Sequence, residues 1–335
     1  MSRHTRVLVM LAVATAACAP TDDAPVDEAP ADGAPAERFS VIAQLEIGQN
    51  PHQISFSDDG LTAYVATAGE DRITVLDAVR HEVTGTIATP GTPLGVIPLP
   101  GSDDLAVAHF AAGGLGRYSP GGTLAADALG TSAGASLIVG PYLDGRYLVS
   151  VEQADSVHVF DSGAFEFIAS YPTGDRPFPT AMTSDGRLAF VPGYADGTVT
   201  IIDLANDRVL ETVMVGTNPS GGVVLPGDEQ YASVVRGEDR VAFIDAASMQ
   251  VVDELSEGIG SSPFSIVLTP DGRLAFVNNT ASHDISVVEL ATREVIERIP
   301  VPQIPIVMAV NPAGTELWVS SEGVHRLTVI AIPKM

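Results

Sequence analysis

Cysteine is nearly absent from this chain: Cys18 is the only one in 335 residues. No internal disulfide can form, and from Ala19 onward there is no thiol nucleophile. Lysine is equally scarce, with Lys334 alone, and the arginines are scattered through a sequence of net charge −25. Neutralising nucleic-acid phosphates needs clustered Lys and Arg, so a nucleic-acid partner is excluded. The bulk of the charge reads as a solvated acidic surface. Aromatic residues make up only 6% of the chain, so the core has to be built from Val, Ile, Leu and Ala. The apolar run Val7–Ala17 is too short to span a bilayer. Several catalytic and cofactor signatures are missing as well: Cys-x-x-Cys-His, His-Glu-x-x-His, Gly-x-x-x-x-Gly-Lys and Gly-x-Ser-x-Gly. The glycine-rich stretch 112–116 precedes no helical pattern. No cofactor and no metal is expected.

Gly and Pro, in contrast, are plentiful, at 32 and 24 residues, as suits many short strands joined by tight turns. At the N-terminus Arg3 and Arg6 precede the apolar run, which ends in the small residues Ala14-Thr15-Ala16-Ala17 before Cys18. That order reads as a signal peptide over residues 1–17. A Cys directly after small residues resembles the lipobox of bacterial lipoproteins, with Thr15 where Leu is usual, and implies lipid attachment at Cys18. Plain secretory cleavage is the alternative. Residues 18–38 repeat Ala-Pro every fifth position with acids between. Such a segment cannot bury enough apolar surface to fold. Proline and like charge extend it, so at roughly 3.1 Å per residue it could hold a domain on the order of 60 Å from a membrane.

Residues 39–335 carry a repeat. The phrase DGRLAFVNNTASHDISVVE, 271–289, recurs as DGLTAYVATAGEDRITVLD at 59–77 and DGRLAFVPGYADGTVTIID at 185–203. Each unit opens on Gly-x-x-Pro or a degenerate form. The openers are Gly48-Gln49-Asn50-Pro51, Gly91-Thr92-Pro93, Gly130-Thr131-Ser132-Ala133, Gly174-Asp175-Arg176-Pro177, Gly216-Thr217-Asn218-Pro219, Gly260-Ser261-Ser262-Pro263 and Pro302-Gln303-Ile304-Pro305. Pro51 to Pro305 gives six intervals with a period of roughly 42, in the range of four-strand propeller blades. Within a unit, an apolar first strand meets an Asp-Gly type turn. A nearly continuous apolar second strand, an alternating third ending in Asp, and a polar fourth follow. The last unit has only three strands, and Ser40–Ile47 precedes the first opener. The expectation is an all-β, seven-bladed β-propeller with four antiparallel strands per blade, the last blade closed by the N-terminal strand.

The units resemble those of the YVTN β-propeller repeat family, through Tyr64-Val65-Ala66-Thr67, Phe276-Val277-Asn278-Asn279 and Ile285–Val288. The resemblance implies an exported or surface-attached seven-bladed propeller. It implies no single activity.

The loops entering each first strand and those between strands two and three should share one face. That face would carry His52, His109, Glu152, Tyr194, Arg236, Asn278 and Glu322, with His283 and His325 further along two loops. Asp77, Asp161, Asp203 and Asp245 recur at one blade position and read as turn caps. His158, inside a strand, reads as structural. The expected role is a monomeric envelope scaffold that binds a protein, peptide or envelope polymer on this loop face, touching the membrane only through its lipid. The alternative is a lactonase-like hydrolase using His109, Glu152 and Arg236 for acid/base and oxyanion work. A divalent cation held by His52, His109 and Glu152 has the least support.

Overall fold

In the computed structural model, residues 39–89, 91–128, 133–140, 145–161 and 163–334 are described. Residues 1–17, expected to be a signal peptide, and the expected lipid-anchored linker 18–38 lie outside them. Asp-Gly pairs make the hairpins between first and second strands. Gly60, Gly186 and Gly272 take φ of 70°, 69° and 68°, which a residue with a Cβ adopts only under strain. The Asp before each glycine folds back on its own turn. Asp59 accepts from Ser57 Oγ at 2.7 Å and from the Leu61 N–H at 3.0 Å, and Asp271 does the same with Thr269 and Arg273. The four acids at the ends of third strands cap the next turn, as in Asn206 N–H to Asp203 at 3.1 Å and Ser248 N–H to Asp245 at 2.7 Å.

These hairpins build seven four-stranded antiparallel sheets among the described residues. The first blade is Pro51–Phe56, Thr62–Thr67, Arg72–Asp77 and Glu82–Ala88. The second, where Gly113 and Gly114 replace the usual start of a third strand, is complete, with Leu115–Tyr118 as a short third strand. The seventh joins Pro305–Val310, Glu316–Ser321 and Arg326–Ala331 to Ser40–Glu46, paired from Ser40↔Ala331 to Glu46↔Arg326 with a register shift between Val41 and Ala43. At six of the seven seams the first strands of neighbouring blades lie against one another, that of blade 7 touching that of blade 1. The ring is therefore an all-β seven-bladed propeller closed by its N-terminal strand.

Among the described residues seven clusters of buried side chains form the core, and each lies between two blades. No blade buries its own faces. Each second strand is apolar on both sides because each side meets a neighbour; Leu274–Asn279 is buried at every residue. The seam between blades 7 and 1 holds Trp318 with Ile54, Val65, Leu76, Leu327 and Val329, and Ala43 and Leu45 of the N-terminal strand pack on it.

The third opener sits two residues later than its sequence suggests. Gly134 has φ of 104° and its carbonyl accepts the Glu152 N–H at 2.9 Å. Asn50, Thr92, Arg176, Asn218, Ser262 and Ile304 make the same bond in the other blades, all at positive φ. Ala135 thus replaces the expected Pro, and the intervals become 42, 42, 42, 42, 44 and 42 residues.

A positive φ at Thr92 or Ile304 is costly for a β-branched residue. The preceding blade holds it in place. Asp71, Asp155 and Asp239 accept the N–H of Thr92, Arg176 and Ser262 at 2.8, 2.9 and 2.7 Å. His283 Nδ1 accepts from Ile304 and His325 Nδ1 from Asn50, at 3.3 and 3.4 Å. The two histidines at the loop face are therefore inter-blade clasps on both sides of the closing blade.

Candidate functional site

The loop face opens into a cavity of about 410 Å³ where all seven blades converge. Three rings form its wall. The residue after each second strand gives Ala68, Phe110, Glu152, Tyr194, Arg236, Thr280 and Glu322. In five of the blades the residue after the opener contributes too: His52, Leu94, Phe178, Phe264 and Ile306. Asn50, Thr92, Arg176 and Ile304 come from the openers themselves.

Five of the residues expected on this face therefore line one cavity: His52, Glu152, Tyr194, Arg236 and Glu322. Two do not. His109 is one residue short of the ring, where Phe110 stands. One residue along a strand reverses the side chain, so His109 is buried, with Nε2 3.2 Å from the Tyr118 hydroxyl and the rings 5.7 Å apart. Asn278 is two residues short, where Thr280 stands, because the interval from blade 5 to blade 6 is 44 rather than 42. It is fully buried; its Oδ1 accepts the Ser265 N–H at 2.6 Å, and its Nδ2 donates to the Pro305 carbonyl at 2.7 Å, tying blade 6 to blade 7. His158 is buried between strands, with Nε2 3.0 Å from Ser156 Oγ and its ring 5.3 Å from Phe167. Among the described residues no three His, Cys, Asp or Glu side chains are grouped to hold a metal ion.

Blades 4 to 6 supply the chemically distinctive part of the wall. Phe178 meets Tyr194 edge-on with centroids 4.8 Å apart and Phe264 at 5.8 Å. Arg176 lies 5.3 Å from the Tyr194 centroid and 5.6 Å from that of Phe178; Arg236 lies 5.4 Å from that of Phe264. All three distances are within cation–π range. Arg176 Nε also donates to Glu152 at 3.3 Å. Burial raises the Glu152 carboxyl above its usual range, and the Arg176 bond pulls it partly back. Phe178, Phe264, Arg176 and Phe110 were not among the residues expected from sequence. Steps of 42 from His52, with one of 44, reach Phe178 and Phe264.

Burial pushes the His52 imidazole down to about 4, and lowers His158 in the same way. Both are neutral in the folded protein near neutral pH. In the unfolded chain they take up a proton at about 6.5, so the unfolded state binds more protons below that pH. Stability is full above about 6.5 and falls as the pH drops toward 4. The urea midpoint should be lower at pH 4.5 than at 7.5, and His52→Gln should flatten that decline. A decline of equal size in wild type and variant would contradict the assignment.

No family model matches the chain. It is 23% identical over 317 residues to Protein NirF of Stutzerimonas stutzeri, covering 84% of this chain and 78% of that one. It is 24% identical over 144 residues to the hydrazine synthase subunit beta of Kuenenia stuttgartiensis, 36% of each chain. A further 24% match, over 169 residues, is to a seven-bladed β-propeller protein of Mycobacterium tuberculosis, covering 49% of this chain and 42% of that one. Among solved structures, the Kuenenia stuttgartiensis hydrazine synthase superposes with a TM-score of 0.75 at 18% identity, over 84% of this chain and 95% of that one. The likeness extends to the propeller fold.

Proposed function

We propose that this chain is a binding propeller that receives its ligand or partner in the axial cavity of the loop face. One observation carries the reading. The rings around the axis break the repeat where the rest of each blade keeps it. The position filled by Arg236 in blade 5 is Ala, Phe, Glu, Tyr, Thr or Glu in the other six. The same backbone bond is made at all seven, so the blade does not dictate the side chain.

The lactonase-like reading needed His109, Glu152 and Arg236 at one point. With His109 turned into the blade, the three do not meet at one point. In our reading the propeller is an exported lipoprotein, acylated at Cys18 and held off the envelope by the acidic proline-rich segment 18–38. The support is the basic-apolar-small order before Cys18 and the five-residue Ala-Pro period after it. A protein, peptide or envelope polymer is the partner class. One similar chain is a subunit of hydrazine synthase by name, which supports a propeller of this shape working within an assembly.

Capture from a solubilised envelope fraction tests the reading. Wild type should retain a partner that the double variant Tyr194→Ala, Arg236→Ala loses with its urea midpoint unchanged. Undiminished capture by the variant would remove the axial cavity from the account.

A further inference from the structure

We propose that the axial cavity selects an organic anion with a flat apolar body, seating the anionic group on Arg236 and the body on the aromatic wall of blades 4 to 6. This rests on the reading of the cavity as the binding site and names its ligand class.

The argument begins with charge. A chain of net charge −25 has little cation to spare, yet two arginines, Arg176 of blade 4 and Arg236 of blade 5, line its axial wall. Their circumstances differ. Arg176 is matched, its Nε bonded to Glu152 at 3.3 Å. Arg236 is not: its Nε donates to Ser262 Oγ at 2.9 Å and its plane lies over Phe264. Among the described residues no carboxylate pairs with it and no acceptor bonds its two terminal nitrogens. The Ser262 bond and the Phe264 ring fix the guanidinium, so its remaining N–H fork is held ready. A fixed fork of this kind suits a planar or tetrahedral oxyanion better than a lysine would.

The neighbours define the rest of the ligand. Phe264, Phe178 and Tyr194 form a continuous edge-to-face set beside the fork. Leu94, Phe110 and Ile306 line the same cavity. Such a wall favours a flat unsaturated body. About 410 Å³ is within the range of small-molecule sites. Glu322, the cavity's other carboxylate besides the matched Glu152, comes from a blade two places from Arg236.

A matched pair of fluorescent probes tests this. 1-Anilinonaphthalene-8-sulfonate and N-phenyl-1-naphthylamine share one phenyl-naphthylamine body with a flat naphthalene, and only the first carries an anion. The folded full chain should bind the sulfonate at one site, roughly 10-fold or more tighter than the neutral amine, the size expected of a charge-assisted hydrogen bond. Arg236→Gln should erase that preference by weakening the sulfonate roughly 10-fold more than the amine, and Arg236→Lys should restore part of it. Phe264→Ala should weaken both probes, and Glu322→Gln should not weaken the sulfonate. Equal binding of the two probes, still sensitive to Phe264→Ala, would overturn the anion assignment and leave the cavity as a binding site. Binding of both probes indifferent to every one of these substitutions would overturn the cavity reading as well. Urea midpoints of the variants show that the ring is intact, since the other blades place unrelated residues at position 236.

Discussion

A chain beginning at Gln49, and so lacking the N-terminal strand, is expected to lose roughly 3–6 kcal/mol of folding stability and to associate in solution. The loss follows from what Ser40–Glu46 and its flanks contribute. Ile47 is 1% exposed, Ala43 and Leu45 pack on the seam cluster, and Phe39 meets Phe276 edge-on at 5.8 Å. The Ile47 carbonyl also accepts the Thr74 hydroxyl of blade 1 at 3.0 Å. Without the strand, Arg326–Ala331 becomes an exposed edge with buried-type residues beside it, a template for pairing between chains. Since a domain is stable by about 5–15 kcal/mol, this removes a large part of the total. Urea unfolding and sedimentation of the truncated chain measure both effects. A truncated chain as stable and as monomeric as the full one would show that the strand does not close the ring.

Trp318→Ala should cost about 3–5 kcal/mol, the range for removing a large buried ring. Trp318 is fully buried in blade 7 but packs across the seam, 5.2 Å from Phe56 and 5.7 Å from His81 between ring centroids, both in blade 1. Its Nε1–H donates to Glu316 at 2.9 Å, and Glu316 in turn pairs with His81 at 3.1 Å. The substitution therefore empties the seam and leaves that polar chain short of a donor. Trp318→Phe keeps the apolar contact and should cost less than half as much. Equal costs for the two would place the energy in the Glu316 bond rather than in the packing. Because Trp318 is the only tryptophan, its fluorescence reports directly on the closing seam, and should shift to the red in the chain beginning at Gln49.

The architecture was legible because its signals are local and repeated. Asp-Gly turns, strand-ending acids and two-faced apolar strands recur in most blades, and each follows from backbone needs the residues satisfy themselves. The site was legible only in part because its residues do not repeat. His109 drew attention by its chemistry, but strand phase decides direction, and the phase puts Phe110 on the axis. Asn278 lies 42 residues beyond Arg236, yet the connection into blade 6 is two residues longer. There Gly258, at φ of 78°, turns the chain against Val295. Gly130 resembled an opener by composition, whereas Gly134 has the required conformation. The clasps by Asp71, Asp155, Asp239, His283 and His325 were hidden for another reason. Each serves the backbone of the next blade, a partner about twenty residues or, for His325, nearly the whole chain away.

Ring closure places every axial residue, so a direct test belongs at the closing strand. Glu46 and Arg326 are opposite one another in the register, with their side chains 3.4 Å apart. Cα separations of about 4.5–5.5 Å across antiparallel pairs suit a disulfide. With Cys18 changed to Ala, the double variant Glu46→Cys, Arg326→Cys should oxidise to an intrachain bond and gain in Tm, because the bond closes nearly the whole chain. Failure to form that bond in the folded protein, or formation only between chains, would contradict a propeller whose N-terminal strand completes its seventh blade.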